Sequence, residues 1–230
     1  MEPSGIRLGS LRGTTIHVEI SFLILIALFV ILNLESGAPM ERALLWAPIL
    51  FFSVLLHEIG HAATIGALGF GPSQISLAGL GGLTTNARRS QPWQDILISV
   101  AGPLTSFLIA VLSLVLIRVV PYFRTDPMFS VLLPTLVWAN TVWGIFNLLP
   151  IHPLDGGQAL RNLARMVTRE RTALMISVWI SMIVGGALAV WGLLRGQFFI
   201  AILAAVLTVQ NFRQWQIVRT IDPNPPAERD

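Results

Sequence analysis

The chain has 230 residues, of which 54% are apolar and 12% are charged, and its formal net charge is +3. A soluble globular protein carries about 25% charged residues, so this composition excludes an ordinary soluble fold and indicates a polytopic membrane protein. There is no cysteine, which excludes disulfides, thiolate metal sites and cysteine nucleophiles. All 15 basic residues are arginine and they fall mostly beside apolar segments, a pattern typical of membrane topology and not of nucleic-acid binding.

Six apolar segments approach the ~20 residues that a helix needs to cross a bilayer. They lie at residues 16–34, 43–68, 96–120, 131–149, 173–194 and 198–209. Short cytoplasmic loops carry the excess of positive charge in membrane proteins. With a cytoplasmic N-terminus, only Arg42, Arg118, Arg124 and Arg195 fall outside, and the other arginines fall inside. The sequence therefore predicts an all-α membrane protein of about six spans with both termini cytoplasmic.

The predicted membrane domain covers residues 1–215. Residues 216–230 follow the last apolar segment and contain Pro223, Pro225 and Pro226. Because proline interrupts helices and strands, this segment is predicted to be a short, disordered cytoplasmic tail.

Two stretches interrupt the apolar helical pattern. Residues 74–89 read QISLAGLGGLTTNARR, and their period near two, with glycines that permit sharp turns, predicts a short re-entrant β-like hairpin between the second and third spans. Such backbone is tolerated at membrane depth only where it lines a cavity or is covered by protein. The second stretch, PIHPLDGG at residues 150–157, must end the fourth helix because it contains two prolines and two glycines.

The second span carries three ionisable side chains, His57, Glu58 and His61. Each such group inside a span costs roughly 2.5 to 3.5 kcal/mol on insertion scales, so the cluster indicates a function. In the pattern HExxH, the two histidines lie one helical turn apart on one face, where both can bind a single Zn²⁺. Glu58 can then act as general base on the metal-bound water. A purely structural cluster is the weaker interpretation, because it would bury three polar side chains without water.

A catalytic zinc ion commonly has three protein ligands, so one more is needed. The candidates at membrane depth are His17, Glu19, Asp95, His152 and Asp155. Asp155 is favoured because it follows a span where prolines unwind the chain, and because the predicted topology puts it on the same side of the membrane as the histidines. His152 is the weaker alternative, and His17 and Glu19 fit interfacial anchoring or a contact to a ligand better.

Two asparagines lie in the fourth span. Asn147 is eight residues before Asp155, and its amide can donate a hydrogen bond to the oxyanion formed during peptide hydrolysis, a contribution of about 2.7 to 4 kcal/mol in known cases. A hydrogen bond between helices is the alternative for Asn147. For Asn140, two turns earlier, that structural role is favoured.

Together these motifs resemble the site-2 protease family of intramembrane zinc metalloproteases. The resemblance rests, in order, on HEIGH at residues 57–61, ISLAGLGGLTT at 75–85, AGPL at 101–104 and NLLPIHPLDGG at 147–157. It implies one Zn²⁺ per chain held by His57, His61 and Asp155, with Glu58 as the base. It also implies that Asn147 is a transition-state or substrate-binding group.

The resemblance further implies that the hairpin pairs with an extended substrate strand. The hairpin residues concerned are Ile75, Ser76, Leu77, Gly79, Gly81, Gly82, Leu83 and Thr84. Strand addition agrees with the chemistry, because a transmembrane helix must unwind before its peptide bonds become accessible. The implied substrates are single-span membrane proteins, such as anti-sigma factors or membrane-tethered regulators in bacteria. The length predicts a compact form without the PDZ or CBS domains of many members, and the lack of lysine indicates a high-GC bacterium.

The predicted function is therefore intramembrane proteolysis, in which peptide bonds within or near transmembrane segments are hydrolysed by Glu58-assisted attack of zinc-bound water. Two alternatives stay open, namely a catalytically silent scaffold that binds transmembrane segments and a small metal or proton transporter. A transporter usually shows paired repeats with broken helices, which this sequence does not show. A silent scaffold would have no need of the base beside the two histidines.

Overall fold

The structure is a computed structural model that describes residues 5–11, 13–79, 81–86 and 90–220. Two strands, β1 (Ile6–Leu11) and β2 (Thr14–Val18), precede the helices α1 (Ile20–Glu35) and α2 (Met40–Ala67). A second pair of strands, β3 (Ser73–Ala78) and β4 (Gly81–Asn86), leads into α3 (Pro92–Val119), α4 (Tyr122–Thr125) and α5 (Phe129–Asn147). The chain ends with α6 (Asp155–Arg165), α7 (Glu170–Leu194) and α8 (Phe198–Thr220). The predicted helical class is confirmed, because 73% of the described residues are helical and the sheet is small.

Five of the described helices, α2, α3, α5, α7 and α8, are long and apolar enough to cross a membrane. The chain is therefore a multi-pass membrane protein, as predicted. The first predicted span is shorter than expected, since α1 has 16 residues and rises only about 24 Å at 1.5 Å per residue. The reason is that the start of that apolar run, up to Val18, forms strand β2 and is not helical.

Helix α8 extends well past its apolar run and ends at Thr220. Its last turns are held by aromatic contacts: the ring of Trp215 packs on Trp179 of α7 and stacks on Phe212, and the guanidinium of Arg219 lies 5.4 Å from its centroid. These contacts stabilise the part of α8 that lies beyond its apolar segment. Residues 216–220 are therefore helical, which corrects the predicted start of the tail, and residues 221–230 lie outside the described residues.

By its packing, the described chain divides into two compact units. The first takes in the residues up to Ser90 together with Leu97–Asn147, and the second takes in Gln91–Ile96 together with the residues from Leu148 onward. Helix α3 thus begins in the second unit and continues in the first.

The first unit contains a four-stranded sheet in the order β1-β2-β3-β4. The predicted hairpin is present, with β3 antiparallel to β4 and Ile75 opposite Thr84. Strand β2 runs parallel to β3, and β1 is antiparallel to β2. The buried face of this sheet packs on α1 and α2 through an apolar core of Val18, Phe22, Leu25, Val54, Ala62, Ile75 and Leu77. The sheet is thus anchored against the helix that carries the HEIGH motif.

The second unit is built on the packing of α7 against α8. Small residues let the two backbones approach closely: a Cβ added at Gly192 would lie 2.9 Å from the backbone nitrogen of Ala201, and one at Gly185 would lie 2.5 Å from the hydroxyl of Thr208. In lipid, no hydrophobic driving force brings helices together, so they associate through the close packing that small residues allow.

Candidate metal centre

Helix α2 places the HEIGH side chains inside the first unit. His57, Glu58 and His61 are only 2%, 4% and 5% exposed. The two histidines lie one helical turn apart, with ring centroids 4.9 Å apart and one ring nitrogen of each within 4.8 Å of the other. At this separation both imidazoles can bind one ion.

The Nδ1 atoms of both histidines are held by α3. His57 Nδ1 lies 3.0 Å from the hydroxyl oxygen of Ser106, and His61 Nδ1 lies 2.6 Å from the carbonyl oxygen of Ile98. A carbonyl only accepts, so His61 Nδ1 carries the hydrogen and its Nε2 keeps a lone pair for a metal. The Ser106 hydroxyl can hold His57 in the same tautomer.

The two Nε2 atoms converge on Gly102, the glycine of the AGPL motif in α3. A Cβ added there would lie 2.2 Å from His61 Nε2 and 2.6 Å from His57 Nε2. Any other residue at position 102 would therefore occupy the space in front of both ring nitrogens. The convergent nitrogens, their anchored Nδ1 atoms and the bare backbone opposite fit a zinc ion, which prefers nitrogen and oxygen ligands when no thiolate is available.

Strand β4 lies against Glu58. The Thr84 hydroxyl donates a hydrogen bond of 2.7 Å to Glu58 Oε2. A Cβ added at Gly82 would lie 2.3 Å from Glu58 Cγ, so only glycine permits this approach. Gly79 has the positive φ of the turn, whereas Gly81 and Gly82 lie within the strand. Gly79 therefore serves the turn, whereas Gly81 and Gly82 allow close packing against Trp143 and Glu58.

The sheet order restricts which hairpin residues can pair with a further strand. Strand β3, with Ile75, Ser76 and Leu77, is interior because β2 and β4 occupy both of its edges. Both backbone edges of those three residues are occupied in this structure, which disfavours the prediction that they pair with a substrate strand. The outer edge of β4 has no strand partner in the described part of the chain, so the predicted substrate strand narrows to Gly81, Gly82, Leu83 and Thr84.

The two asparagines of α5 have different partners. Asn140 is fully buried and its Nδ2 donates to the hydroxyl oxygen of Ser53 in α2 at 2.9 Å. This is the helix–helix hydrogen bond predicted for it. Asn147 ends α5 in the same unit, and its Nδ2 donates to the Trp143 carbonyl of its own helix at 2.9 Å. The described contacts of Asn147 therefore show an intrahelical bond and no bond to another helix.

Asp155 lies in the second unit, as the half-buried first residue of α6. The turn before it, residues 150–154, contains His152. Burial, and after it the positive charge of Arg161, lower the pKa of His152, so its imidazole is neutral at pH 7. Asp95 is bonded by the Arg165 guanidinium at 3.2 Å, which identifies it as part of an ion pair that ties α6 to the start of α3.

The remaining candidates lie in the first unit near the sheet. His17 is buried in β2, opposite Ser76 of β3 in the register of the sheet. Glu19 precedes α1 and accepts a hydrogen bond of 3.3 Å from Ser21. His17 thus pairs across to β3, whereas the Glu19 contact is local to the start of α1, and the anchoring role of both stays a prediction.

The positions that sequence reasoning missed are those of α3. Ser106, Ile98 and Gly102 contact the ring nitrogens of the histidines, yet none was singled out individually. The AGPL motif was the available signal for Gly102, whereas a serine and a carbonyl within an apolar span carry no sequence signal of this role.

Comparison with known proteins identifies the family of this chain. Residues 46–124 and 124–190 match the family model of peptidase family M50. The chain belongs to peptidase family M50. The solved structure of a site-2 protease from Methanocaldococcus jannaschii is similar to this M50 chain, with a TM-score of 0.66 and 25% sequence identity over 97% of this chain and 99% of that chain. The predicted resemblance to site-2 proteases is confirmed.

Two curated relatives of this M50 chain are zinc metalloproteases by name. A zinc metalloprotease of Methanocaldococcus jannaschii is 30% identical over 207 residues, which cover 89% of this chain and 57% of the relative. A candidate zinc metalloprotease of Synechocystis sp. is 29% identical over 226 residues, which cover 90% of this chain and 59% of the relative. The chain thus spans somewhat more than half the length of both relatives.

Proposed function

We propose that this M50 chain is a membrane-embedded zinc metalloendopeptidase that hydrolyses peptide bonds within or near transmembrane segments of membrane proteins. The observation that carries the proposal is the convergence of His57 and His61 Nε2 over Gly102, with Glu58 beside them, in a 28-residue apolar helix. Polar groups are costly in such a helix, and a hydrolytic site for membrane-embedded peptide bonds is a reason for them to be there.

The proposed ligands of the zinc ion are His57, His61 and Asp155. Two imidazoles and a carboxylate form a ligand set that leaves a position open for catalysis. Asp155 is supported by its place in the NLLPIHPLDGG motif and by its position at the first residue of α6, directly after a turn rich in proline. When bound, zinc supplies a Lewis acid that polarises a carbonyl and lowers the pKa of a coordinated water to about 7.

Glu58 is the proposed general base and acid. Its carboxylate takes the proton of the attacking water and delivers it to the nitrogen of the leaving amine. The Thr84 hydroxyl holds Oε2 at 2.7 Å and so fixes the plane of the carboxylate. General acid–base catalysis by a positioned group contributes about 10²- to 10⁴-fold.

The proposed substrate site is the outer edge of β4. An unwound substrate segment added there would bond to the backbone of the strand, and Gly82 and Thr84 would place it beside Glu58 because both residues contact that side chain. Asn147 is the proposed oxyanion donor. Its amide has a second hydrogen beyond the one donated to Trp143.

The finer proposals concern substrate and location. Single-span membrane proteins present one helix that can unwind without breaking other spans, so they are the proposed substrate class, with membrane-tethered regulators such as anti-sigma factors as examples. The arginine distribution supports an orientation with both termini cytoplasmic, and the absence of lysine supports a bacterial cell membrane.

Removal of metal is expected to stop proteolysis. The full chain, reconstituted in lipid with a panel of single-span membrane peptides, should lose cleavage when a chelator strips the metal and should regain it with stoichiometric Zn²⁺. The products are measured by mass spectrometry and the metal by elemental analysis, with Ca²⁺ added to a parallel sample as the control. Undiminished cleavage by metal-free protein would refute the proposed chemistry.

Replacing Asp155 with alanine is expected to weaken zinc binding by more than ~100-fold, since the loss of an outer partner of a ligand already costs about 10- to 100-fold. Zinc affinity is measured by competition with a chromophoric chelator. His152→Ala is the comparison and should keep its zinc. Wild-type affinity in Asp155→Ala, together with loss of zinc in His152→Ala, would move the third ligand to His152.

A further inference from the structure

The turn between α5 and α6, residues 150–154, is held by hydrogen bonds within the second unit. Ile151, the second residue of this turn, is fully buried. The backbone nitrogen of Ile151 donates to the Leu149 carbonyl at 2.7 Å, and that of Leu154 donates to the Ile151 carbonyl at 2.8 Å. These backbone hydrogen bonds define the conformation of the turn.

The peptide groups of His152 are held from two different helices. Its N–H donates to the hydroxyl oxygen of Ser181 in α7 at 2.8 Å, and its carbonyl accepts from Nδ2 of Asn211 in α8 at 2.6 Å. Ser181 is 0% and Asn211 is 1% exposed. The Ser181 hydroxyl lies 2.7 Å from the Ser177 carbonyl, so it can donate its proton there and keep a lone pair for His152. We call Ser181 and Asn211 the turn clamp.

The first turn of α6 is fixed on the other side of Asp155. Ser177 of α7 donates to the Gly157 carbonyl at 3.1 Å. A Cβ added at Gly157 would lie 2.4 Å from the backbone nitrogen of His152, so the start of α6 is pressed against the clamped peptide. Asp155 therefore lies between two backbone segments whose positions are set by α7 and α8.

We infer that Ser181 and Asn211 are positioning residues for the metal centre, which hold the His152 peptide and thereby set the position of the Asp155 carboxylate. The inference rests on the proposed role of Asp155 as a zinc ligand. Removing either clamp side chain takes away the hydrogen-bond partner that fixes one backbone group of His152 to a buried position on α7 or α8. The turn then relaxes, and the carboxylate shifts from the position that zinc requires.

The dependence of the clamp's effect on Asp155 distinguishes a positioning role from general support of the fold. Partners that orient a metal ligand are worth about 10- to 100-fold in metal affinity. The clamp acts on zinc only through Asp155, so its effect should disappear when that carboxylate is absent. Helices α7 and α8, which carry none of the proposed ligands, would then control the zinc affinity of the protein.

The test is the zinc affinity of the purified full chain, measured by chelator competition for Ser181→Ala and Asn211→Ala, each alone and combined with Asp155→Ala. Each single variant should bind zinc about tenfold or more weakly, and neither should weaken binding further in the Asp155→Ala background. The matched control is Thr208→Val, because the Thr208 hydroxyl lies in the same helix pair but donates to the Ala204 carbonyl of its own helix at 2.7 Å. Its affinity should be unchanged.

The other outcomes identify which step fails. If Asp155→Ala weakens zinc binding and both clamp variants leave it unchanged, the ligand role stands and the positioning role is wrong. If the clamp variants weaken binding equally with and without Asp155, they act on the whole fold and the inference is overturned. If Asp155→Ala itself binds zinc normally, the proposed ligand fails and the inference falls with it. The two clamp residues lie on different helices, so the second variant decides the matter if the first does not fold.

Discussion

Glu58→Gln is expected to abolish peptide hydrolysis while leaving zinc in place. The amide has the shape of the carboxylate and can still accept the Thr84 hydrogen bond, which spans 2.7 Å in the native chain. It cannot take a proton from water, so the rate should fall about 10²- to 10⁴-fold, or roughly 2.7 to 5.4 kcal/mol in activation free energy. Cleavage of a single-span membrane peptide and bound zinc are measured on the same samples.

The matched control for this change is Glu41→Gln. Glu41 lies in the first turn of the same helix and is exposed, so its charge can be removed without affecting the buried cluster. It should keep both cleavage and zinc. A Glu58→Gln protein that cleaves at the native rate with its zinc bound would show that Glu58 is not the base. Loss of zinc from that variant would instead show that Glu58 maintains the metal site.

Gly102→Ala is expected to remove zinc binding with little change in the helix that carries it. The new Cβ would lie 2.2 Å from His61 Nε2 and 2.6 Å from His57 Nε2, inside the space that the ion needs. To accommodate the methyl group, the imidazoles must leave their bonds to Ser106 and the Ile98 carbonyl. Such overpacking typically costs about 1 to 3 kcal/mol of stability as well. Zinc stoichiometry and thermal unfolding of the metal-free protein are the two measurements.

Gly66→Ala provides the control for Gly102→Ala. Gly66 is also helical, in α2, but a Cβ added there meets nothing within 4 Å. This variant should bind zinc normally and should be slightly more stable, because alanine is favoured over glycine in a helix by about 1 kcal/mol. Full zinc occupancy in Gly102→Ala would mean that the ring nitrogens do not converge on Gly102, and the proposed centre would have to be reconsidered.

Much of the fold could be predicted because hydropathy and short-range periodicity determine it. Most of the spans and the hairpin were placed within a few residues, since each depends only on a continuous stretch of sequence. Strands β1 and β2 were missed for a physical reason. The apolar residues of β2 run directly into α1, and β2 is a strand because it pairs with β1 and with β3, which lies more than fifty residues later.

In the candidate site, too, the residues close together in the sequence were predictable and their distant partners were not. His57, Glu58 and His61 follow from their spacing in an apolar helix, and their burial agrees with that prediction. Ser106 was not predictable, because it is 49 residues from its partner His57 and nothing in its neighbourhood distinguishes it from a serine that bonds to its own helix. Whether Asp155 is the third ligand stays a prediction that zinc binding will decide.

The sequence by itself determined the membrane class of this protein, the helix that carries the HEIGH motif and the presence of a glycine-rich hairpin beside it. Those features depend on residues close together in the chain, where side-chain spacing and transfer free energy decide the outcome. Only the tertiary structure decided that β4 and not β3 is the edge strand, that Gly102 faces both Nε2 atoms, and that Ser181 and Asn211 hold the turn before Asp155. These contacts join residues far apart in the sequence. They depend on how side chains pack in three dimensions, which leaves no periodic pattern in the sequence.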